Sequence, residues 1–188
     1  LNKKTEVIGI DNINNYYDIK LKKNRINDLK KNKKFSFFKI DLSEYKKINN
    51  IVKNKKIKII IHLAAQAGVR HSIKNPRSYF KSNLEGFFNI LEISRHNNIK
   101  HLIYASTSSV YGESKKFPLS EIDVTDKPIS FYAATKKSNE IMAYSYSHIY
   151  KLPSTGVRFF TVYGPFGRPD MSLFKFTKNI LNNKPIEL

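Results

Sequence analysis

Ile57-Lys58-Ile59-Ile60-Ile61-His62-Leu63 is nearly continuous in apolar residues and runs directly into Ala64-Ala65-Gln66-Ala67-Gly68-Val69. A strand with one wet face alternates polar and apolar side chains, so an unbroken run predicts a strand covered by helices on both faces, at the centre of a sheet. The small residues behind it let a backbone approach a ligand closely, or serve helix packing alone. Outward from this strand, residues 6–10, 35–40, 101–106 and 155–162 read as four more strands. Helical patterns cover 17–31, 43–54, 76–97 and 130–150, with a last helix at 172–182. Strand and helix alternate from end to end, which predicts an α/β class protein built from βα units around a parallel sheet. No internal repeat, low-complexity linker or break in composition marks a second domain.

The 188 residues suffice for one sizeable domain, and 40% hydrophobic with 13% aromatic residues is too apolar for an intrinsically disordered chain. Cysteine is absent, which removes disulfides and thiolate metal sites; no metal is expected, and a reducing, cytoplasmic setting fits. No apolar run reaches the ~18 residues of a membrane span, and Leu1-Asn2-Lys3-Lys4 before a strand is no signal peptide, so no membrane partner is expected. The formal charge of +19 raises the question of nucleic acid. Its cations are mostly Lys interspersed with Asn and Ile, as in 30–34 and 53–58, and no base-reading module accompanies them. No nucleic acid partner is expected; the basic field would instead help to draw in an anionic small ligand.

Polar residues gather where the predicted strands end. Gly9-Ile10-Asp11-Asn12 puts a carboxylate at the end of the first strand, where dinucleotide-binding folds hold ribose hydroxyls and repel a 2′-phosphate; alone, Asp11 reads first as a turn or cap residue. The Gly-x-x-Gly-x-x-Gly loop that stands about twenty residues before such an acid has no room here. Lys39-Ile40-Asp41-Leu42 closes the second strand with another carboxylate. Tyr104-Ala105-Ser106-Thr107-Ser108-Ser109-Val110-Tyr111-Gly112 crowds hydroxyls at a strand end, suited to a substrate alcohol or to a turn that satisfies its own backbone.

Tyr132-Ala133-Ala134-Thr135-Lys136 then sets Tyr and Lys one helical turn apart. A phenol with a pKa near ~10 is a poor base at neutral pH, and a neighbouring ammonium favours its phenolate. Tyr16 and Lys20, and Tyr111 and Lys115, share that spacing, but only Tyr132 opens a helical pattern after the hydroxyl-rich strand end. Arg158-Phe159-Phe160-Thr161-Val162-Tyr163-Gly164-Pro165 and Gly167-Arg168-Pro169-Asp170-Met171 follow, and Arg168 offers a planar fork for a carboxylate or phosphate.

In this order, along essentially the whole chain, these segments resemble the extended short-chain dehydrogenase/reductase family, and within it the nucleotide-sugar 4-epimerases. Gly9 to Asn12, His62 to Arg70, Tyr132 to Lys136 and Arg158 to Met171 look most like the UDP-glucuronate 4-epimerases. The resemblance implies a Rossmann-like, doubly wound parallel sheet in which 1–188 is a partial NAD-binding domain. The first, glycine-loop strand and most of the C-terminal substrate domain would be missing. It implies Asp11, Asn12, Asp41 and Leu42 on the adenosine half of NAD, and Leu63, Ala64, Ala65, Gln66 and Ser82 along the rest. Thr107 would bind the reacting hydroxyl and Tyr132 would be the acid/base. Lys136 would hold the nicotinamide ribose and depress the Tyr132 pKa, with Phe160 near the nicotinamide.

The implied reaction interconverts UDP-glucuronate and UDP-galacturonate through a 4-keto sugar, with Ser108, Ser109, Thr161 and Arg168 about the carboxylate. The related nucleotide-sugar 4,6-dehydratases carry Asp-Glu directly after the hydroxyl residue; here Ser108 and Ser109 stand there, which disfavours elimination of water. A UDP-glucose 4-epimerase and a nucleotide-sugar 4,6-dehydratase are the alternatives within the family. The family also implies a homodimer formed through helices 76–97 and 130–150. A reading of another class is that the chain is an inactive portion of such an enzyme, lacking the cradle for the pyrophosphate.

Overall fold

The computed structural model describes residues 5–186. Five parallel strands form two sheets: β1 (Val7–Asp11) pairs with β2 (Phe35–Lys39), and β3 (Ile59–His62), β4 (His101–Thr107) and β5 (Ser154–Phe159) lie in that order. The helices are α1 (Ile19–Lys30), α2 (Tyr45–Asn54), α3 (Val69–Lys74), α4 (Pro76–Tyr79), α5 (Gly86–His96), α6 (Phe131–Tyr150) and α7 (Ser172–Leu181). A π-helical turn, Phe80–Glu85, joins α4 to α5, and a 3-10 turn, Ser108–Tyr111, follows β4. Among the described residues no helix is long and apolar enough to cross a membrane.

The chain divides into two compact units, one from Ile40 to Phe160 and the other from the segments on either side. In the flanking unit, Asp18 caps α1 by accepting from the Lys20 amide at 2.8 Å. The loop before α7 meets the segment after β1 there: Tyr16 Oη donates to Asp170 Oδ2 at 3.2 Å and Arg25 donates to the Gly167 carbonyl at 3.0 Å.

In the larger unit, α5 turns Phe87, Ile90 and Leu91 inward at helical spacing onto Leu102 and Tyr104 of β4, with Ala143 of α6 and Leu152 completing the core. Ser130 caps α6, its Oγ accepting from the Ala133 amide at 3.1 Å. Lys151, at φ 55°, ends the helix in the left-handed region two residues before Pro153.

Two expectations change. Residues 76–97 are a short helix, a π turn and a longer helix rather than one helix, preceded by α3, which the sequence pattern does not signal. The run 57–63, expected at a sheet centre with both faces covered, forms a strand only over 59–62, at the edge of the three-stranded sheet. Ile60 and His62 face the α5 side, where Ile60 packs on the core and His62 lies against Phe87 with ring centroids 5.3 Å apart. The opposite face is bare, with Ile59, Ile61 and Leu63 57%, 62% and 61% exposed. The continuous apolar run thus records compatibility with burial on both sides, while only one side is covered here.

Candidate active site

The centre of the site is the first half of α6 against the end of β4. Lys136 is buried and its Nζ donates to the Ala105 carbonyl at 2.8 Å. Burial alone pulls its pKa down to about 8. It therefore remains mostly protonated at neutral pH. Tyr132, half-buried, stands one turn earlier on the same helix, its ring meeting the edge of Tyr79 at a centroid distance of 6.1 Å.

The two other Tyr/Lys pairs do not share this geometry. Tyr16 lies ahead of α1 and donates to Asp170, while Tyr111 ends the 3-10 turn and packs under Arg158. Gly112 then closes that turn at φ 62°, where a Cβ would sit 2.5 Å from the Lys127 carbonyl oxygen, so only glycine fits.

The turn reading of the hydroxyl cluster is seen directly. Thr107 closes β4 and caps the turn that follows, its Oγ1 accepting from the Ser109 amide at 3.2 Å and lying 3.3 Å from Ser109 Oγ. Ser108 and Ser109 are half-buried on that turn, and α6 packs against both β4 and the turn.

Behind β3, Leu63 is exposed, Ala64 and Ala65 half-buried and Gln66 buried. Gln66 is anchored by a residue the sequence reading passes over. Asn83, on the π turn, accepts from the Gln66 amide at 2.8 Å and donates to the Gln66 carbonyl at 3.0 Å and to Thr135 Oγ1 at 3.1 Å. Tyr79 Oη reaches the carbonyls of Ala67 and Gly68 at 2.7 and 2.6 Å. Ser82 lies beside Asn83 on the turn, half-buried. The π turn thereby ties the β3 end to the start of α6, a placement π-helical turns share at many functional sites. The only signal available was Asn83 itself, indistinct in a chain rich in Asn.

Asp41 Oδ1 accepts from the Ser43 amide at 3.0 Å and hydroxyl at 2.7 Å, which shapes the turn after β2. The Leu42 carbonyl accepts from Asn89 of α5 at 2.8 Å, and the Leu42 side chain packs on the core. Phe160, just past β5, is 60% exposed. In the flanking unit, the exposed Asp11 ends β1 and one carboxylate oxygen accepts from the Ile13 amide at 2.6 Å; Asn12 beside it is half-buried and Thr161 is exposed. The Arg168 fork, expected for a ligand anion, holds Asp170 instead, Nε to Oδ1 at 3.0 Å and Nη2 to Oδ2 at 2.8 Å.

Every strand thus carries polar or small residues at or just beyond its carboxyl end, the position at which open parallel sheets bind ligands. Known proteins are similar to the chain along most of its length. A family model described as GDP-mannose 4,6 dehydratase matches residues 1–186. Protein CapI of Staphylococcus aureus is 56% identical over 182 residues, 97% of this chain and 54% of its own. UDP-glucuronate 4-epimerase of Thermodesulfobacterium geofontis is 48% identical over 97% of this chain and 56% of its own. The crystal structure of UDP-glucuronic acid 4-epimerase from Bacillus cereus, in complex with UDP-glucuronic acid and NAD, matches at a TM-score of 0.91 and 34% identity, over 98% of this chain and 57% of that one. The chain spans about half the length of the curated relatives it matches. With a family model matched from residue 1 to residue 186 and the fold reproduced at that level, the chain belongs to the GDP-mannose 4,6 dehydratase family of NAD-dependent nucleotide-sugar epimerases and dehydratases.

Proposed function

We propose that this chain carries the catalytic centre of an NAD-dependent UDP-sugar 4-epimerase that interconverts UDP-glucuronate and UDP-galacturonate in the cytoplasm. The observation that carries the reading is the buried Lys136 one turn from Tyr132 on a helix packed against the Thr107–Ser109 hydroxyls, with serines rather than acids after Thr107.

The residues fit a dinucleotide by their donor set. Asp11 and Asp41 offer acceptors for the adenosine hydroxyls and amino group, with Asn12 and Leu42 beside them. Leu63, Ala64, Ala65, Gln66 and Ser82 would hold the rest of NAD, with Lys136 on the nicotinamide ribose and Phe160 near the nicotinamide. When bound, NAD supplies the acceptor and later the donor of the C4 hydride.

The chain's own groups handle protons and orientation. Thr107 holds the sugar 4-hydroxyl through its Oγ1. Tyr132 takes the proton of that hydroxyl as C4 is oxidised, and returns it after the 4-keto sugar has turned its other face. Lys136, one turn along the same helix, is the cation available to favour the phenolate that this requires. Ser108, Ser109, Thr161 and Arg168 orient the uronate carboxylate, Arg168 by exchanging Asp170 for the substrate. The exposed Phe88 on α5 and Ile141 and Tyr144 on α6 suit a homodimer through those helices.

The test is UDP-glucuronate to UDP-galacturonate interconversion followed by NMR, on this chain and on a form extended to the length of its relatives. Turnover by either form, abolished in Tyr132→Phe, is the expected result. No turnover of UDP-glucuronate by either would overturn the substrate assignment.

A further inference from the structure

The proton-handling groups leave unused an ion pair directly behind them. Glu140 stands on α6 one turn past Lys136, and its carboxylate gathers three bonds. Ser106 Oγ donates to Oε1 at 2.6 Å, Arg158 Nε to Oε1 at 2.9 Å and Arg158 Nη2 to Oε2 at 3.0 Å. The two charged side chains are only 14% and 19% exposed. Arg158 also donates from Nη1 to the Glu121 carbonyl at 3.2 Å, and its guanidinium lies 4.9 Å from the centre of the Tyr111 ring. Burial pushes the Glu140 carboxyl up, but the bonds from Arg158 and Ser106 outweigh it and hold the group below the usual carboxylate range. Lys137, the other cation facing it, lies 3.8 Å away.

Resting on the function proposed above, we infer that Glu140 is a positioning residue that sets where Tyr132 stands relative to Thr107. Two consecutive β4 residues fasten α6: Ala105 through Lys136 and Ser106 through Glu140. Ser106 immediately precedes Thr107, Arg158 lies two residues before Phe160, and Tyr111 ends the hydroxyl turn. The Glu140–Arg158 pair therefore links α6 to β4 through Ser106, to β5 through Arg158 itself, and to the hydroxyl turn through the Tyr111 ring. A partly buried ion pair is a weak source of stability compared with apolar packing, whereas a two-pronged fork fixes direction as well as distance. The clasp accordingly acts on geometry first.

Glu140→Gln keeps the volume and the Ser106 bond but loses the second acceptor for the Arg158 fork. In the form extended to the length of its relatives, with its nucleotide bound, kcat is expected to fall roughly 10- to 100-fold, the scale of a 1 Å misplacement. NAD content and KM should hold, and the pH profile should keep its limbs, because burial alone shifts Lys136. Hydrogen exchange over residues 105–111 should quicken while residues 45–54 stay protected, and Arg158→Lys should reproduce both effects.

A folded Glu140→Gln with parental kcat, or with kcat lowered only in proportion to its NAD content, overturns the inference. If Glu140→Gln fails to fold, Ser106→Ala removes a single bond and carries the same two readouts. If the parent does not epimerise UDP-glucuronate, the functional reading fails, and the exchange measurement still decides the clasp: unchanged exchange at 105–111 refutes it.

Discussion

In Lys136→Met the ammonium goes and a straight apolar stem of similar volume stays, which separates the energetic cost of this site from its chemistry. The wild-type group is 1% exposed, and burial displaces its pKa from 10.5 to about 8. At 1.36 kcal/mol per unit, that displacement corresponds to about 3 kcal/mol of lost folding free energy at neutral pH. The folded value lies below the unfolded one, so the unfolded chain binds this proton more tightly. The penalty is complete below pH 8 and fades as the pH rises towards 10.5. Methionine removes it but leaves the Ala105 carbonyl without the Lys136 donor, a loss of about 1–3 kcal/mol.

The net expectation at pH 7 is a variant between equal in stability to the parent and about 2 kcal/mol more stable, with turnover abolished. Urea unfolding followed by circular dichroism at pH 7 and pH 9.5 measures it, and the variant's advantage should shrink at the higher pH. A variant destabilised by more than about 2 kcal/mol at pH 7, or a difference that ignores pH, would refute the claim that the buried charge is kept for function against stability.

Asp11→Asn should relax cofactor choice, lowering the preference for NAD over NADP by at least roughly tenfold, the factor for 1.4 kcal/mol; an unchanged ratio of binding constants would remove Asp11 from the ribose site. Arg168→Ala should raise KM for UDP-glucuronate roughly 10- to 100-fold, as for a lost charged hydrogen bond, and leave UDP-glucose unaffected; equal discrimination would count against the carboxylate clamp. The bare face of β3 should make this chain bind a hydrophobic dye. Ile59→Thr with Ile61→Thr should reduce that signal while changing unfolding free energy by about 0.5 kcal/mol or less per site, and an undiminished signal would place the exposed apolar surface elsewhere.

Most of the element pattern was legible because its punctuation is local. The side chains of Asp18 and Ser130 cap α1 and α6 where a short polar residue precedes each apolar period, and β2 begins at Phe35 as read. The Tyr132 and Lys136 pair was legible only through its position, since spacing alone admits Tyr16 and Tyr111; the latter is excluded by Gly112, which breaks the chain before Lys115. Three-dimensional relations were not legible. The π turn needs one extra residue in a helical run whose apolar side chains still read as continuous, and α3 follows Gly68 with no side-chain cap. Glu140 carries no mark of its bonds with Ser106 and Arg158, which lie 34 and 18 residues away in the chain. Arg168 illustrates the converse: a fork suited to an anion is visible in sequence, but its carboxylate in this structure is Asp170, two residues on.

The strand at 59–62 shows what an apolar run can specify. Its alternate residues meet different surroundings: Ile60 and His62 have the α5 side, and burial beside the Lys136 ammonium drives the His62 pKa down to about 3, so His62 is neutral. Ile59, Ile61 and Leu63 have nothing comparable, although each is as apolar as the covered Ile60. A sequence pattern states which faces a strand can bury, and burial itself needs a partner surface. At about 25 cal/mol per Å² of apolar area, three large side chains left in water forgo several kcal/mol, comparable with the net stability of a small domain. Selection for a strand wet on one face would have placed polar residues at 59, 61 and 63. Their apolar character is therefore a specification for cover, and covering that face should make the protein measurably more stable and less sticky.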